Sequence, residues 1–454
     1  MLPRSPKNTQ PNLFHNQLRD MLDSNDSLIA LADTINWDYF DESFAKYYSD
    51  EGRPAKPIRL MVGLLLLKQL ENLSDESLVL QWKRNPYYQY FCGMSEYQPA
   101  LPCDPTDLVY FRKRIGTEGV EKIFAMSVSL HGKDAQEKQV IIDTTVQEKN
   151  VTYPTDGKLA IKMIHHLLRI AKEEQIPLRR TYMKEIKEHR IKLRFFSHPK
   201  KIKKAKAAMK RLKTIVGILM RDISRNMSQE QHKTHQETFD LFTKVINQQM
   251  KDSNKVYSLH ESHIYAIAKG KDHKKYEYGT KASLVTTMKS NIIIGVAAHQ
   301  KNEHDSKTLE AALASANKHR TQPIVEAICD RGYRGRKEVD GTLICIPNKA
   351  LKRDTNYQKE LKRKKFRRRA AIEPIIGHVK SDHRMQRNYL KGFVGDEINL
   401  LLAAAAFNLK KWMNLFLLFV FMLKMALTVH VLAQVKREHR EKYADLYLML
   451  FRLW

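Results

Sequence analysis

Acidic residues are scarce beside basic ones: 50 Asp plus Glu against 79 Lys plus Arg leave a formal charge of +29. A chain so unbalanced repels itself unless a polyanion offsets it, and nucleic acid is the polyanion that fits, ahead of an acidic membrane surface. Cysteine is rarer still. The four present, Cys92, Cys103, Cys329 and Cys345, lack the paired spacing of a zinc site and are too few for a disulfide framework, so reduced thiols are expected. The opening residues MLPRSPKNTQPNLFHNQLRD contain no apolar run of signal-peptide length, and the expected location is therefore cytoplasmic. A glycine-rich phosphate loop and a nucleophilic Ser or Cys constellation are both missing, which disfavours ATP-driven and covalent recombinase chemistry.

The 454 residues exceed what one core usually organises, so two or three domains are expected. Residues 1 to about 125 read as helical. IRLMVGLLLLKQLENL (58–73) is apolar enough for a buried helix, Ser74 with Asp75 and Glu76 looks like the cap and first turn of the next, and Asn85-Pro86 ends it. Asp104 before Pro105 starts a further helix that stops at Gly116, with Arg112, Lys113 and Arg114 on its exposed side. That face is either a DNA-reading element or a solvated basic surface. KQVIIDTTVQEKNV (138–151) then reads as a strand buried on both faces that delivers Asp143 at its end. Residues 158 to about 250 are basic and helix-forming, broken at Pro177 and Pro199, and suggest an insertion of helical hairpins that contacts DNA or a second subunit, or is simply solvated. Strand signals resume with KVYSLHE (255–261), KYEYGTKASLVTT (275–287), NIIIGVAAHQ (291–300), PIVEAICD (323–330) and TLICIPNK (342–349). Between the third and fourth of these, Asp305 reads as a helix cap in preference to a residue supporting a ligand.

Two of these strands end on carboxylates, Asp143 and Asp330, and a third carboxylate, Glu373, lies among Ala371, Ile372, Ile375 and Ile376, a setting that predicts a place against the sheet rather than on a free surface. Carboxylates converging from separate elements are the hard oxygen ligands that Mg²⁺ or Mn²⁺ requires. A single Asp at a strand end is more often a turn or cap residue, so the argument rests on the set. Arg369 and Lys380 stand about one and two helical turns from Glu373 and would share its side of a helix, although Pro374 moves the expected helix start to that residue and turns Arg369 elsewhere. The stretch 349–369, with KRKKFRRR at 362–369, brings Arg367 and Arg368 beside the same place, suited to backbone phosphates.

The motifs GRPAKPIRLMVGLLLLKQLENLSDESL and DPTDLVYFRKRIG, then IIDTTVQEKN, KKYEYGTKASL, NEHDSKTLEAAL and DRGYRG, resemble those of transposases of bacterial insertion sequences, in the large family conventionally numbered five, across nearly the whole chain. Related transposases carry Y-x-x-R-x-x-x-E-x-x-x-x-x-x-K around the last carboxylate. Arg369, Glu373 and Lys380 match it, with Phe366 in the tyrosine position, where the ring keeps its packing and loses the hydroxyl. The resemblance implies an RNase H-like α/β catalytic domain of the DDE type over 138–412, split by the helical insertion at about 158–250 and preceded by an all-α DNA-binding domain over 1–125. It also implies Asp143, Asp330 and Glu373 as ligands of two Mg²⁺ ions, with Mn²⁺ able to substitute; Arg369 and Lys380 as DNA contacts, to which the charge pattern adds Arg367, Arg368, Arg112, Lys113 and Arg114; terminal inverted repeats and target DNA as partners; no ATP; and a dimer or larger assembly on DNA. Rival readings are a catalytically silent DNA-binding relative and a nuclease that cuts without joining. The tail, 413–454, contains NLFLLFVFMLKMALTVHVLAQV, near the length of a membrane span. Lys424 and His430 argue against insertion, and packing on the core or on a partner subunit is expected, with an amphipathic end after it.

Overall fold

The computed structural model describes residues 16–452 apart from 50, 53, 250, 253, 272–273, 349–350 and 352. After short helices, Ile58–Leu70 forms α1, Asp75–Arg84 α2 and Pro105–Ser129 α3. Helix α1 is buried all round, Leu64, Leu65, Leu66 and Leu67 being fully enclosed, and each such burial is worth about 2 kcal/mol. Ser74 caps α2 by accepting from the Ser77 amide, and Asp104 with Asp107 forms a capping box on α3. Gly116 (φ 57°, ψ −164°) kinks α3, and a second helical segment follows it where the sequence predicted a stop.

Strand β1 is Gln139–Lys149. The insertion follows as α4 (Asp156–Glu173), α5 (Met183–Lys192), α6 (Ile202–Asn226) and α7 (Gln229–Asn247), packed on a core of its own that includes Leu167, Leu212, Leu219 and Phe242. Then come β2 (Tyr265–Lys271), β3 (Lys274–Thr287), β4 (Ile293–His299), α8 (Leu309–Asn317), β5 (Glu326–Ile328), β6 (Glu338–Val339) and β7 (Thr342–Cys345). The chain closes with α9 (Asn356–Arg369), α10 (Ile372–Ser381), β8 (Arg387–Asn388) and α11 (Gly392–Arg452). The expected strand at 255–261 does not form; β2 begins after it.

β3 is antiparallel to β1 on one edge and to β2 and β4 in succession on the other, while β5 is parallel to both β1 and β7. Three antiparallel strands continued by two parallel ones, with helices alongside, make the mixed α/β sheet of an RNase H-like core. The helical segment at the N-terminus does not stand apart from it. One apolar core runs from Leu28 through Leu64, Trp82 and Phe124 to Ile142, Leu284, Ile294 and Leu402.

Helix α11 is buried over Leu400–Ala406 and at Leu409 and Met413, but beyond that Leu417, Leu418, Phe419, Phe421, Met422 and Leu423 are exposed. Gly392–Thr428 is long and apolar enough to cross a membrane by length and composition. The expected packing of this segment on the core holds only at its start, where Met413 is buried and Phe416 and Phe419 line a hollow beside Leu130 and His131; beyond it, consecutive apolar residues point to every side of the helix, and one core can cover only one side. The amphipathic end expected at 436–454 concerns side chains outside the described residues.

Candidate active site

The length mismatch between β1 and β5 creates the site. β5 pairs with β1 only over Gln139–Ile141, and its chain parts from β1 after Ile328, whereas β1 continues to Lys149, where β8 pairs with Glu148 and Lys149. The edge of β1 between those two pairings is left as a notch. Asp143 lies inside it, in the middle of the strand and not at its end as the sequence suggested. The β-branched run continues through Thr144, Thr145 and Val146 and keeps the backbone extended on the support of β3.

Asp143 Oδ1 accepts from the Thr144 amide (2.8 Å), and its side chain is 18% exposed. Burial pushes its carboxyl up to about 6; the Thr144 amide opposes this, the neighbouring Asp330 carboxylate adds to it, Arg369 opposes it and Asp305 adds to it. Asp330 stands just past β5, where its Oδ1 accepts from the Gly332 amide (2.7 Å) and caps a 3₁₀ turn, Arg331–Tyr333. A Cβ on Gly332 would fall 2.9 Å from Asp330 Oδ1 and 3.0 Å from Asp305 Oδ2. The glycine thus lets carboxylates from two different loops close on one spot.

Asp305 does not cap the helix it precedes. Its Oδ1 accepts from Thr144 Oγ1 (3.0 Å) and from Lys281 Nζ (3.0 Å) on β3, so it braces the residue next to Asp143. Tyr333 completes this wall: its ring is fully buried and its phenol lies beside Thr144. Burial, then nearby Cys329, Asp143 and Asp305, hold the phenol well above its usual range. Sequence reasoning missed Lys281, Thr144 and Tyr333 as parts of the site, although all three fall inside the quoted motifs KASL, IIDTT and DRGY.

Glu373 departs from expectation. Ile372, Ile375 and Val379 turn α10 onto the core, which aims Glu373, in the first turn, outward with its side chain 65% exposed. Arg369, at the end of α9 and 19% exposed, lies between the carboxylates, with Nη2 3.4 Å from Glu373 Oε1 and Nη1 3.6 Å from Asp143 Oδ2. Arg369 Nη1 is buried and makes no hydrogen bond. Among the described residues no three His, Cys, Asp or Glu side chains are gathered into a group able to hold a metal ion. Asp143 and Asp330 fit a divalent cation by donor chemistry, since a buried carboxyl raised by a second carboxylate is relieved by positive charge. Glu373 is held apart from Asp143 by Arg369.

The expected cationic contacts divide. Arg367 is exposed on α9, and Lys380 is half-buried on α10. Arg368 is committed to protein: its guanidinium donates to Met288 O (2.7 Å), Lys289 O (2.8 Å) and Asn291 Oδ1 (2.7 Å), which docks α9 on the turn between β3 and β4. Lys113 and Arg114 are exposed on α3, but Arg112 is not. It is 5% exposed and makes a two-pronged pair with Asp75 (Nη1–Oδ1 3.0 Å, Nη2–Oδ2 2.7 Å), because α2 brings a half-buried carboxylate to that side of the helix.

Residues 16–114 match the family model described as a transposase domain (DUF772), and residues 251–409 match the one described as a transposase DDE domain. A protein of Rhizobium meliloti described as "Uncharacterized protein ORF8 in nfe locus" is 37% identical over 203 residues, which are 44% of this chain and 98% of that protein. No solved structure matches significantly. The second matched segment contains Asp330, Arg369 and Glu373 but begins after the insertion; Asp143 joins it through the pairing of β1 with β3 and β5.

Proposed function

Because this chain belongs to the DDE transposases of insertion sequences, we propose that it cleaves phosphodiesters at the ends of its element and joins the freed 3′-hydroxyls to target DNA, with Asp143, Asp330 and Glu373 as the reacting centre's carboxylates. The observation that carries the reading is the notch in the sheet edge, where Asp143 and Asp330 come together in partial burial with Glu373 one arginine away. Divalent cations, when bound there, supply the charge that makes a hydroxyl nucleophilic and a departing alkoxide stable. Asp143 and Asp330 would hold them, braced by the Thr144 amide and by Gly332. Arg367 and Lys380 would orient the DNA backbone by its phosphates, which position without reading sequence.

Arg369 has two roles in this reading. Without DNA its guanidinium partly neutralises Asp143 and Glu373; when a phosphate arrives, the under-bonded Nη1 turns to it, because a charge-assisted bond to phosphate is stronger than a 3.6 Å ion pair. Glu373 is then released to face Asp143. Arg369→Ala should therefore slow cleavage of bound DNA yet tighten Mn²⁺ binding to the DNA-free protein by roughly threefold to tenfold, since a like charge has left the site. Titration followed by the electron paramagnetic resonance of free Mn²⁺ reads the second effect directly. Unchanged Mn²⁺ affinity would remove Arg369 from that role.

The reading as a whole is tested by incubating the purified chain with DNA carrying the flanking inverted repeats, with and without Mg²⁺. Nicks at the repeat ends followed by joined products support it. Cuts without joining would indicate a nuclease, and binding without cuts a silent relative.

A further inference from the structure

A cavity of about 540 Å³ opens between the segment that follows the short helices and the outer face of α3, and none of Asp143, Asp330 and Glu373 lines it. Its lining includes Tyr47, Tyr48, Lys56, Asp107, Tyr110 and Arg114. On α3 the residues Asp107, Tyr110 and Arg114 recur at helical spacing and so form one stripe: an acceptor, an aromatic ring and a cation on successive turns. Tyr110 is 62% exposed, a large ring held in water without protein covering it. The Arg114 guanidinium lies 4.8 Å over the Tyr48 ring, which fixes both on the cavity wall. Lys56 supplies a second exposed cation from the facing segment. Asp107 uses Oδ2 in the capping box, accepting from the Asp104 amide at 3.1 Å, and presents its carboxylate at the cavity wall.

This set of groups matches a particular chemistry. Volumes of roughly 300–1,000 Å³ suit small ligands, so the cavity is far too narrow for a duplex and ample for one nucleotide. An exposed ring offers a stacking surface to any base, two cations bracket a phosphate, and a carboxylate accepts from an exocyclic amino group or ring N–H. We propose that this cavity holds one unpaired nucleotide of DNA, its base stacked on Tyr110, its phosphate between Lys56 and Arg114, and its base edge on Asp107. The amino-terminal helices then recognise a frayed or single-stranded terminus besides contacting duplex.

The inference rests on the DNA-handling reading above, and its test separates the two. Affinities are measured for a blunt duplex and for the same duplex with a short single-stranded extension carrying 2-aminopurine. The wild-type chain should prefer the extended DNA by roughly tenfold, the scale of one base–aromatic stack, and should change the probe's fluorescence on binding. Tyr110→Ala, at an exposed position where folding is easily checked by its melting curve, should bring the two affinities together and abolish the fluorescence change. Tyr110→Phe should retain both, because stacking needs the ring and not the hydroxyl. Equal wild-type affinity for the two DNAs, or a preference that survives Tyr110→Ala, overturns the inference. Failure to bind either DNA overturns the transposase reading beneath it.

Discussion

Asp143→Asn should lower DNA cleavage by about a thousandfold or more while making the cation-free protein more stable at neutral pH. Both effects have one origin. The carboxyl sits in the notch of β1, where burial and the neighbouring Asp330 carry it from 3.8 up to about 6, so the folded chain keeps a proton that the unfolded chain has already released. The stability tied to that proton is complete below about pH 4 and is lost as pH rises through 6. An asparagine has no such proton to lose, and the gain at pH 7 is roughly 1–3 kcal/mol. Asp330→Asn and Glu373→Gln should also abolish cleavage, and combining the three should add little, since a site missing one ligand no longer depends on the others. Cleavage by folded protein and thermal melting between pH 4 and 8 check both parts. Near-normal cleavage by any of the three variants would take that residue out of the centre, and a melting profile for Asp143→Asn that parallels the wild type would show that the notch places no strain on its carboxylate.

Asp396→Ala is expected to cost about 3 kcal/mol, the low end for breaking a buried ion pair, because Lys149 keeps a second carboxylate in Glu261. Asp396 is fully buried at the start of α11, where Oδ1 takes Lys149 Nζ (2.5 Å) and Asn388 Nδ2 (2.6 Å) and Oδ2 lies 3.0 Å from His263 Nε2. Lys149, 4% exposed, also meets Glu261 (3.4 Å), whose carboxylate accepts from the Gly392 amide. The cluster joins the end of β1, the strand β8 that closes the notch, the return from the insertion and the first turn of α11. Removing Asp396 takes from Lys149 its nearest counter-charge, leaving it Glu261 at 3.4 Å and the Gly392 carbonyl at 3.0 Å, and loosens all four. Urea unfolding followed by tryptophan fluorescence should show a midpoint shift of that scale, larger than for Asp396→Asn, which keeps a hydrogen-bond acceptor for Lys149. A loss below about 1 kcal/mol would mean that water reaches Lys149 once the carboxylate is gone.

Much of the scaffold was legible because local chemistry dictates it. The leucine run of α1, the Ser74 and Asp104 caps, and the β-branched stretches that became β1, β3 and β4 carry their signals within a few residues. Helix α9 could have been read as well, because Thr355 with Gln358 makes a capping box, but its uniform charge conceals any buried face. KVYSLHE failed as a strand, since alternation makes a segment suitable for pairing but does not provide the neighbour to pair with.

The sequence by itself determined the family motifs and the cationic character, and it offered three candidate carboxylates with an arginine beside the last of them. Which charges face each other was left to the tertiary structure. Arg112 belongs to Asp75 across 37 residues, Asp305 to Thr144 across 161, and Arg368 to the turn at Met288–Asn291 across about 80. Periodicity reports which side of its own helix or strand a residue occupies. Whether that side meets solvent, a carboxylate or a row of carbonyls depends on what the rest of the chain packs against it, and so it was packing that made Arg112 structural and set Arg369 between Asp143 and Glu373.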